Sequence, residues 1–438
     1  MGKNFALISL GCAKNLVNSE QMLFLLDEAG YKLVESPDGA DFAVINTCGF
    51  IDDAKSEAID NILESAELKK DGKLGAIIVT GCLSERYKDV ICEEIPEIDA
   101  VLGVGSYDSI VEAADAVCSG KKYSSFKDKN SSEEEISRIV STGPAWAYIK
   151  IAEGCNNFCA FCAIPYIRGR YRSRKMEDIV SEAEELADHG VKELIVIAQD
   201  ITRYGTDIYG KRSLAELCRR LSEIQGIEWI RLHYLYPEAF DDELIDEIAR
   251  NDKIVKYLDI PIQHINNGIL KKMNRHTDGE QIRTLFSKLR LRIPGLVLRT
   301  SLIAGLPGEG EEEFEELCSF LREARIERAG VFPYSPEEGT PASLMEHVSE
   351  EEARRRADII MQIQMPIMDE FCSSFIGKTV RVLYEYYDEQ TQYHVGRSYA
   401  DSPDIDGLVL FSGVCDEGEF VDVLITGVDD GMLIGEQV

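Results

Sequence analysis

At 438 residues the chain is long enough for about three domains, and a hydrophobic fraction of 45% gives each of them residues for a core. A formal net charge of −32 speaks against nucleic acid as the main partner, since phosphate contacts need a basic face, and suits a basic protein target, although such acidity is also common in soluble proteins with no charged partner. No apolar run approaches the ~18 residues of a membrane-crossing helix, and the first ten residues lack signal-peptide architecture, so the chain reads as cytoplasmic and as opening in a strand. In that compartment twelve cysteines point to metal binding or catalysis rather than to disulfides. Cys92, Cys118, Cys218, Cys318, Cys372 and Cys415 have no partner spacing and read as buried small hydrophobes.

Over residues 1–120, short β-branched runs at 5–10, 42–46 and 76–80 alternate with helical stretches, which predicts an open parallel α/β domain. Between the first two runs, Asn18 with Gln21 has the pattern of a capping box and Gly30 that of a helix stop. A cysteine follows each strand: Cys12, Cys48 and Cys82, separated by 36 and 34 residues, one strand–helix unit each time. Ligands of open parallel sheets bind at the carboxyl ends of the strands. The three thiols are therefore expected to converge on one ligand, with Gly11, Gly49 and Gly81 letting backbone approach it closely. Three unrelated buried thiols are the alternative.

Residues 121–140 are polar and Ser-rich and read as a linker. Six candidate strands follow at 146–152, 193–198, 229–233, 257–260, 296–304 and 330–334, most of them separated by helix-like segments such as 176–189, closed by Gly190. Repeated strand–helix units over 141–372 predict a parallel barrel or partial barrel with its chemistry at the carboxyl strand ends. Just past the first of these strands stand Cys155, Cys159 and Cys162, spaced C-x3-C-x2-C. Three thiolates hold three corners of a cubane iron–sulfur cluster and leave one iron open. An electron carrier normally ligates all four irons, and a structural zinc wants four closed ligands. Zinc-bound or merely packed thiols remain the alternatives.

After the cysteines, Arg168, Arg170, Arg172, Arg174 and Lys175 alternate in one run, either as a solvated edge strand or with one arginine recognising carboxylates through its guanidinium. Gln199 and Arg203 lie at a strand's carboxyl end, as cofactor or substrate contacts or as solvated loop residues. His264 is either a cofactor contact or a satisfied structural residue. Residues 376–438 alternate in short strands, for example 379–384 and 421–425, with Gly- and Asp-rich turns, and predict a small β-barrel. Three basic residues against thirteen acidic ones give it a net charge of −10.

The C-x3-C-x2-C spacing is similar to the signature of the radical S-adenosylmethionine enzymes. Further segments extend the likeness: Ser9-Leu10-Gly11-Cys12-Ala13-Lys14-Asn15, Asn46-Thr47-Cys48-Gly49-Phe50-Ile51, Gly81-Cys82-Leu83-Ser84 and Ala198-Gln199-Asp200-Ile201-Thr202-Arg203-Tyr204-Gly205. Pro261-Ile262-Gln263-His264 and Gly305-Leu306-Pro307-Gly308-Glu309 belong to the wider superfamily, and Gly396-Arg397-Ser398-Tyr399 with Asp406-Gly407 resembles a tail of one branch. Over nearly its whole length the chain resembles the methylthiotransferase family, and within it the RimO branch. Gly310 departs from the pattern, where a threonine is expected at a helix start.

That resemblance implies an N-terminal three-cysteine domain, a central radical-SAM partial (β/α)6 barrel and a C-terminal TRAM barrel. It implies two 4Fe–4S clusters, one on Cys155, Cys159 and Cys162 that reduces S-adenosylmethionine to a 5'-deoxyadenosyl radical, and a second on Cys12, Cys48 and Cys82 that carries the sulfur. Breaking an unactivated C–H bond lies beyond any side-chain acid or base and belongs to such a cofactor. The implied substrate is an aspartate of the small-subunit ribosomal protein S-twelve, methylthiolated at its β-carbon, with a second S-adenosylmethionine giving the methyl group and a flavodoxin or ferredoxin as electron donor. Phe161 is suited to packing on an adenine ring, with plain core packing as the alternative, and Gln199 to a cofactor contact. Two other readings stay open: methylthiolation of a transfer-RNA adenosine, which the acidic tail disfavours, and a non-catalytic iron–sulfur or zinc protein with four closed ligands per site.

Overall fold

β-branched and aliphatic residues in runs of five or six, buried at every position, give the first sheet its centre: β3 (Phe42–Thr47) and β4 (Ile77–Gly81). The computed structural model describes residues 3–131 and 135–438, so the parts of the expected opening strand and linker at 1–2 and 132–134 lie outside the described residues. The chain forms two compact units: Met1–Ser141 with Glu153–Arg172 and Glu337–Ser343, and Thr142–Ala152 with Ser173–Pro336 and Leu344–Val438.

In the first unit β1 (Asn4–Ser9), β2 (Lys32–Leu33), β3, β4, β5 (Ala100–Leu102) and β6 (Tyr123–Ser125) form a sheet in the order β2-β1-β3-β4-β5-β6, parallel throughout. Alternation sends Phe42 and Val44 to one core with Met22, Leu26 and Ile110, and Ala43 and Ile45 to another with Ala58 and Ile62. Strand β6 lies within the stretch that reads as linker from sequence; a three-residue edge strand of Tyr and Ser carries no apolar pattern to announce it. The helix Ala13–Glu28 takes Cys12 as its N-cap, so Asn18 and Gln21 sit inside it, bonded side chain to side chain at 3.2 Å, and are no capping box. Gly30, at φ +85°, does end that helix, with Tyr31 N–H donating back to Leu26 O at 3.0 Å.

Of the six cysteines outside the two triads, Cys218, Cys318 and Cys372 are buried, Cys118 and Cys415 half-buried, and Cys92 exposed, so the expectation of burial fails for Cys92. In the helix Lys88–Glu94, Ile91 and the following Ile95 face inward, and Cys92 stands one position off that stripe.

The second unit begins with β7 (Trp146–Lys150). The two-residue strands β8 (Ala152–Glu153) and β9 (Arg172–Ser173) bracket the cysteine loop. Then come β10 (Glu193–Ile197), β11 (Trp229–Leu232), β12 (Ile254–Asp259), β13 (Val297–Ala304) and β14 (Arg328–Pro333), in the parallel order β14-β13-β12-β11-β10-β7. The tail closes a five-stranded barrel: β15 (Thr379–Asp388), β16 (Tyr393–Ser398), β17 (Val409–Ser412), β18 (Phe420–Asp429) and β19 (Met432–Gln437), ordered β15-β16-β17-β19-β18.

Buried charge joins that barrel to the parallel sheet. Glu193, fully buried at the start of β10, accepts from Arg231 Nε and Arg397 Nη2, each at 2.7 Å, and Arg397 Nε also donates to Glu385 at 2.7 Å. Arg231 Nη1 reaches Tyr399 O at 2.8 Å, Arg328 pairs with Asp401, and Tyr257 OH donates to Asp406 at 2.6 Å. The tail words Gly396-Arg397-Ser398-Tyr399 and Asp406-Gly407 thus supply the sheet's partners.

Candidate active site with two cysteine triads

The parallel register aligns Ser9 with Asn46 and Asn46 with Thr80, so β1, β3 and β4 end at one edge of the sheet. Cys12 caps the helix Ala13–Glu28, Cys48 follows β3, and Cys82 opens the helix Cys82–Arg86. The adjoining glycines pack against the neighbouring cysteines: a Cβ on Gly11 would lie 2.7 Å from Cys48 Cβ, and one on Gly49 2.7 Å from the Cys82 carbonyl carbon. Gly81 has φ +97°, and a Cβ there would meet Thr47 O at 2.5 Å. Gly81→Ala is therefore expected to displace Cys82; with a cubane on each triad, as the resemblance implies, it should remove about half of the iron taken up on anaerobic reconstitution, with far-UV circular dichroism unchanged.

A buried polar brace holds the three turns. Asn15 Nδ2 donates to Leu10 O and Thr47 O at 2.9 Å each, Asn46 Nδ2 to Asn15 O and Ser19 Oγ at 2.9 Å each, and Thr47 Oγ1 to Thr80 O at 2.6 Å. Amides at these positions replace the backbone partners that turns lack.

The second triad lies in the loop between Glu153 and Arg172, in the same compact unit. Cys155 and Cys159 are buried and Cys162 half-buried. Cys155 N–H bonds Gly169 O at 3.1 Å, Cys162 N–H bonds Cys159 O at 3.0 Å, and Asn157 N–H points at Cys155 Sγ at 3.4 Å. Phe161 is half-buried beside Cys162.

Burial lifts the Cys48 thiol to about 11, with the Phe50 backbone N–H and Arg168 pulling it down and Cys82 and Cys12 adding to the rise. Burial also raises Cys82 against the pull of Arg168, and raises Cys162, whose neighbours Cys159 and Cys155 push the same way. Cys12 is the exception. It keeps solvent-accessible surface, and Lys14, Arg168 and two backbone N–H groups outweigh its desolvation, so its thiol lies below the ordinary value. Within the triads, then, Cys12 and Cys82 lie near enough to act on the Cys48 thiol, and Cys155 and Cys159 near enough to act on that of Cys162. Among the described residues no three His, Cys, Asp or Glu side chains close on a single ion, whereas a cubane takes one sulfur at each of separate iron corners and prefers the all-thiol donor set present here.

Arg168 does not belong to an edge strand as the arginine run suggested. It ends the helix Ile164–Arg168, is buried at 1% exposure, and its Nε lies 3.3 Å from Cys82 Sγ. Arg170 is exposed over the Phe158 ring, Arg174 pairs with Glu182, and β9 holds Arg172. Sequence reasoning missed Glu153, Asn15 and Asn18, which surround Arg168, and Glu337, buried and paired with Arg86 at 2.6 Å. No periodicity signals such pairs across long sequence separations.

In the second unit, Gln199 follows β10 at the carboxyl edge and is half-buried, and Arg203 pairs with the buried Asp200 at 3.1 Å. His264 is fully buried, its Nδ1 accepting from Asn266 N–H at 3.0 Å and its Nε2 3.2 Å from Glu309. It packs against the Gly305–Glu309 turn, where Glu309 also takes Gly305 N–H and Arg356. Gly310 leaves the following helix Glu311–Ala324 without a side-chain cap, but Glu313 reaches back to its N–H at 2.9 Å.

Residues 4–103 match the "Uncharacterized protein family UPF0004", 149–321 the "Radical SAM superfamily" and 376–438 the "TRAM domain". Among solved structures, the chain is similar in fold to the radical S-adenosylmethionine methyltransferase TsrM of Kitasatospora setae, with a TM-score of 0.58 at 14% identity over 78% of this chain and 74% of that one. Proteins named "Ribosomal protein uS12 methylthiotransferase RimO" are far closer. That of Acetivibrio thermocellus is 48% identical over 100% of this chain and 99% of its own. That of Lachnoclostridium phytofermentans is 50% identical over 98% of each. With such identity along the whole length of both partners, the chain belongs to the ribosomal protein uS12 methylthiotransferase RimO family.

Proposed function

We propose that the chain is a radical S-adenosylmethionine methylthiotransferase that places a methylthio group on the β-carbon of an aspartate in the small-subunit ribosomal protein uS12. The observation that carries this reading is the pair of all-cysteine triads within one compact unit, in a family named for that activity. Cys155, Cys159 and Cys162 would hold one 4Fe–4S cluster and Cys12, Cys48 and Cys82 a second, each with one iron left open. When bound, the first supplies the electron that cleaves S-adenosylmethionine and so the means of breaking the C–H bond. The chain's own residues position and shield: Phe161 is assigned to the adenine ring, Gln199 to a cofactor contact, and the buried surroundings of Cys155 and Cys159 keep water away.

The acidic barrel supports a basic protein as target. Of its three basic residues, Arg397 is consumed by Glu193 and Glu385, and Arg381 pairs with Glu228. We assign residues 1–120 to the sulfur-carrying domain, 121–140 to a linker, 141–372 to the radical core and 376–438 to target recognition, with a flavodoxin or ferredoxin as donor and the cytoplasm as location. No described helix is long and apolar enough to cross a membrane.

Anaerobic incubation of reconstituted protein with S-adenosylmethionine, reductant and either uS12 or transfer RNA tests the assignment by mass spectrometry. The expected result is a methylthio group in place of one hydrogen on an aspartate-bearing peptide of uS12 and none on the RNA. Modification of a transfer-RNA adenosine alone overturns it.

A further inference from the structure

We infer that Arg168 is a positioning residue for the N-terminal cluster, a buried cation that holds the Cys82 sulfur and ties the Cys155–Cys162 loop to the Cys12, Cys48, Cys82 triad. This rests on the reading of those three cysteines as cluster ligands. The side chain is spread over four acceptors. Nε faces Cys82 Sγ at 3.3 Å, Nη1 takes Glu153 at 2.8 Å and Asn18 at 3.4 Å, and Nη2 takes Asn15. Asn15 Oδ1 itself lies 3.8 Å from Cys82 Sγ, and the same side chain braces Leu10 O and Thr47 O.

A guanidinium stays charged when buried, so its burial is tolerated only where acceptors and opposite charge meet it. Glu153 supplies that charge at Nη1, while Nε is directed at the sulfur. A residue serving only to pack the loop would have no need of a thiol acceptor. Glu153 precedes Gly154 and Cys155, and Arg168 lies six residues past Cys162, so their bond closes the base of the cysteine loop against the first triad.

Hydrogen bonds to cluster sulfurs and local net charge set reduction potentials. A cation bonded to one ligand sulfur favours the reduced, more negative cluster and so raises the potential. Lysine would keep the charge but, as a point donor, lose the fork that spans sulfur, carboxylate and amide.

Full-length protein and its Arg168→Gln and Arg168→Lys variants, reconstituted anaerobically, are to be compared by iron content, circular dichroism and a redox titration followed by electron paramagnetic resonance. The two cluster signals are identified from a chain whose Cys155, Cys159 and Cys162 are alanine. The N-terminal cluster's midpoint is expected to move to more negative potential in Arg168→Gln and by less in Arg168→Lys, with the other cluster's midpoint unmoved. Loss of the N-terminal cluster alone in Arg168→Gln, with retention in Arg168→Lys, supports the same role. Wild-type midpoints in both variants, or equal loss of both clusters with loss of helical signal in both, overturns it. A wild-type chain that holds a single cubane overturns instead the two-cluster reading beneath it.

Discussion

Protein in which Cys155, Cys159 and Cys162 are all alanine is expected to keep about four of about eight irons after reconstitution, four per cubane, and to cleave no S-adenosylmethionine. The reciprocal protein, with Cys12, Cys48 and Cys82 replaced, should also keep about four irons but still cleave S-adenosylmethionine, while its yield of methylthiolated uS12 falls below detection. The asymmetry follows from the proposed division of labour, in which Cys155, Cys159 and Cys162 would hold the cluster needed to break the C–H bond and Cys12, Cys48 and Cys82 the one that supplies sulfur. Each set sits on its own backbone scaffold, the first on strand ends braced by Asn15 and Asn46, the second on a loop pinned at Cys155 N–H and Cys162 N–H. Removing one set of thiols therefore leaves the other's scaffold standing. Iron and sulfide analysis with quantitation of 5'-deoxyadenosine separates the cases, and methylthiolated product from the reciprocal protein would refute the role of the first triad.

Glu193→Ala is expected to lower the unfolding free energy of the second unit by about 3–5 kcal/mol, the usual cost of stranding a buried charge. Glu193 lies between Arg231 and Arg397, and the two guanidiniums hold its carboxyl below the usual range although burial acts the other way. Its loss leaves Arg231 on β11 with no carboxylate partner among the described residues and Arg397 on β16 with Glu385 alone, in a dry junction. Changing all four together, to Glu193→Leu, Arg231→Met, Arg397→Met and Glu385→Gln, should recover most of the stability, because the charges go with their need for one another. The chain's only two tryptophans report on this place: Arg397 lies over Trp146 at 5.4 Å, and Trp229 meets Phe420 of the barrel at 4.7 Å. Urea unfolding followed by tryptophan fluorescence measures both proteins, and equal midpoints for wild type and Glu193→Ala would show the weld to be dispensable.

Much of this architecture is readable because its signals are local. Phe42–Thr47 and Ile77–Gly81 are runs that only a strand covered on both faces buries completely, and the turn after each carries its glycine and cysteine in the next few residues. The six central strands and the tail barrel declare themselves in the same way, with ends shifted by a few residues, as where β12 starts at Ile254 rather than Tyr257. What escaped depends on partners distant in sequence. Tyr123–Ser125 becomes a strand only because β5 offers it an edge. Asn18 and Gln21 imitate a helix start because the true start is a cysteine, a residue with no capping preference. The arginine run could not say that its first member turns inward to a sulfur 86 residues away, nor could the tail word holding Arg397 name a carboxylate 204 residues upstream.

The barrel's junction charges face inward while its surplus acids face solvent, and added salt should tell the two apart. Mobile ions screen charges that water reaches, over about 8 Å at physiological ionic strength, and barely touch those that it does not. Raising ionic strength should slow the encounter with a cationic target without loosening the grip of the barrel on its sheet.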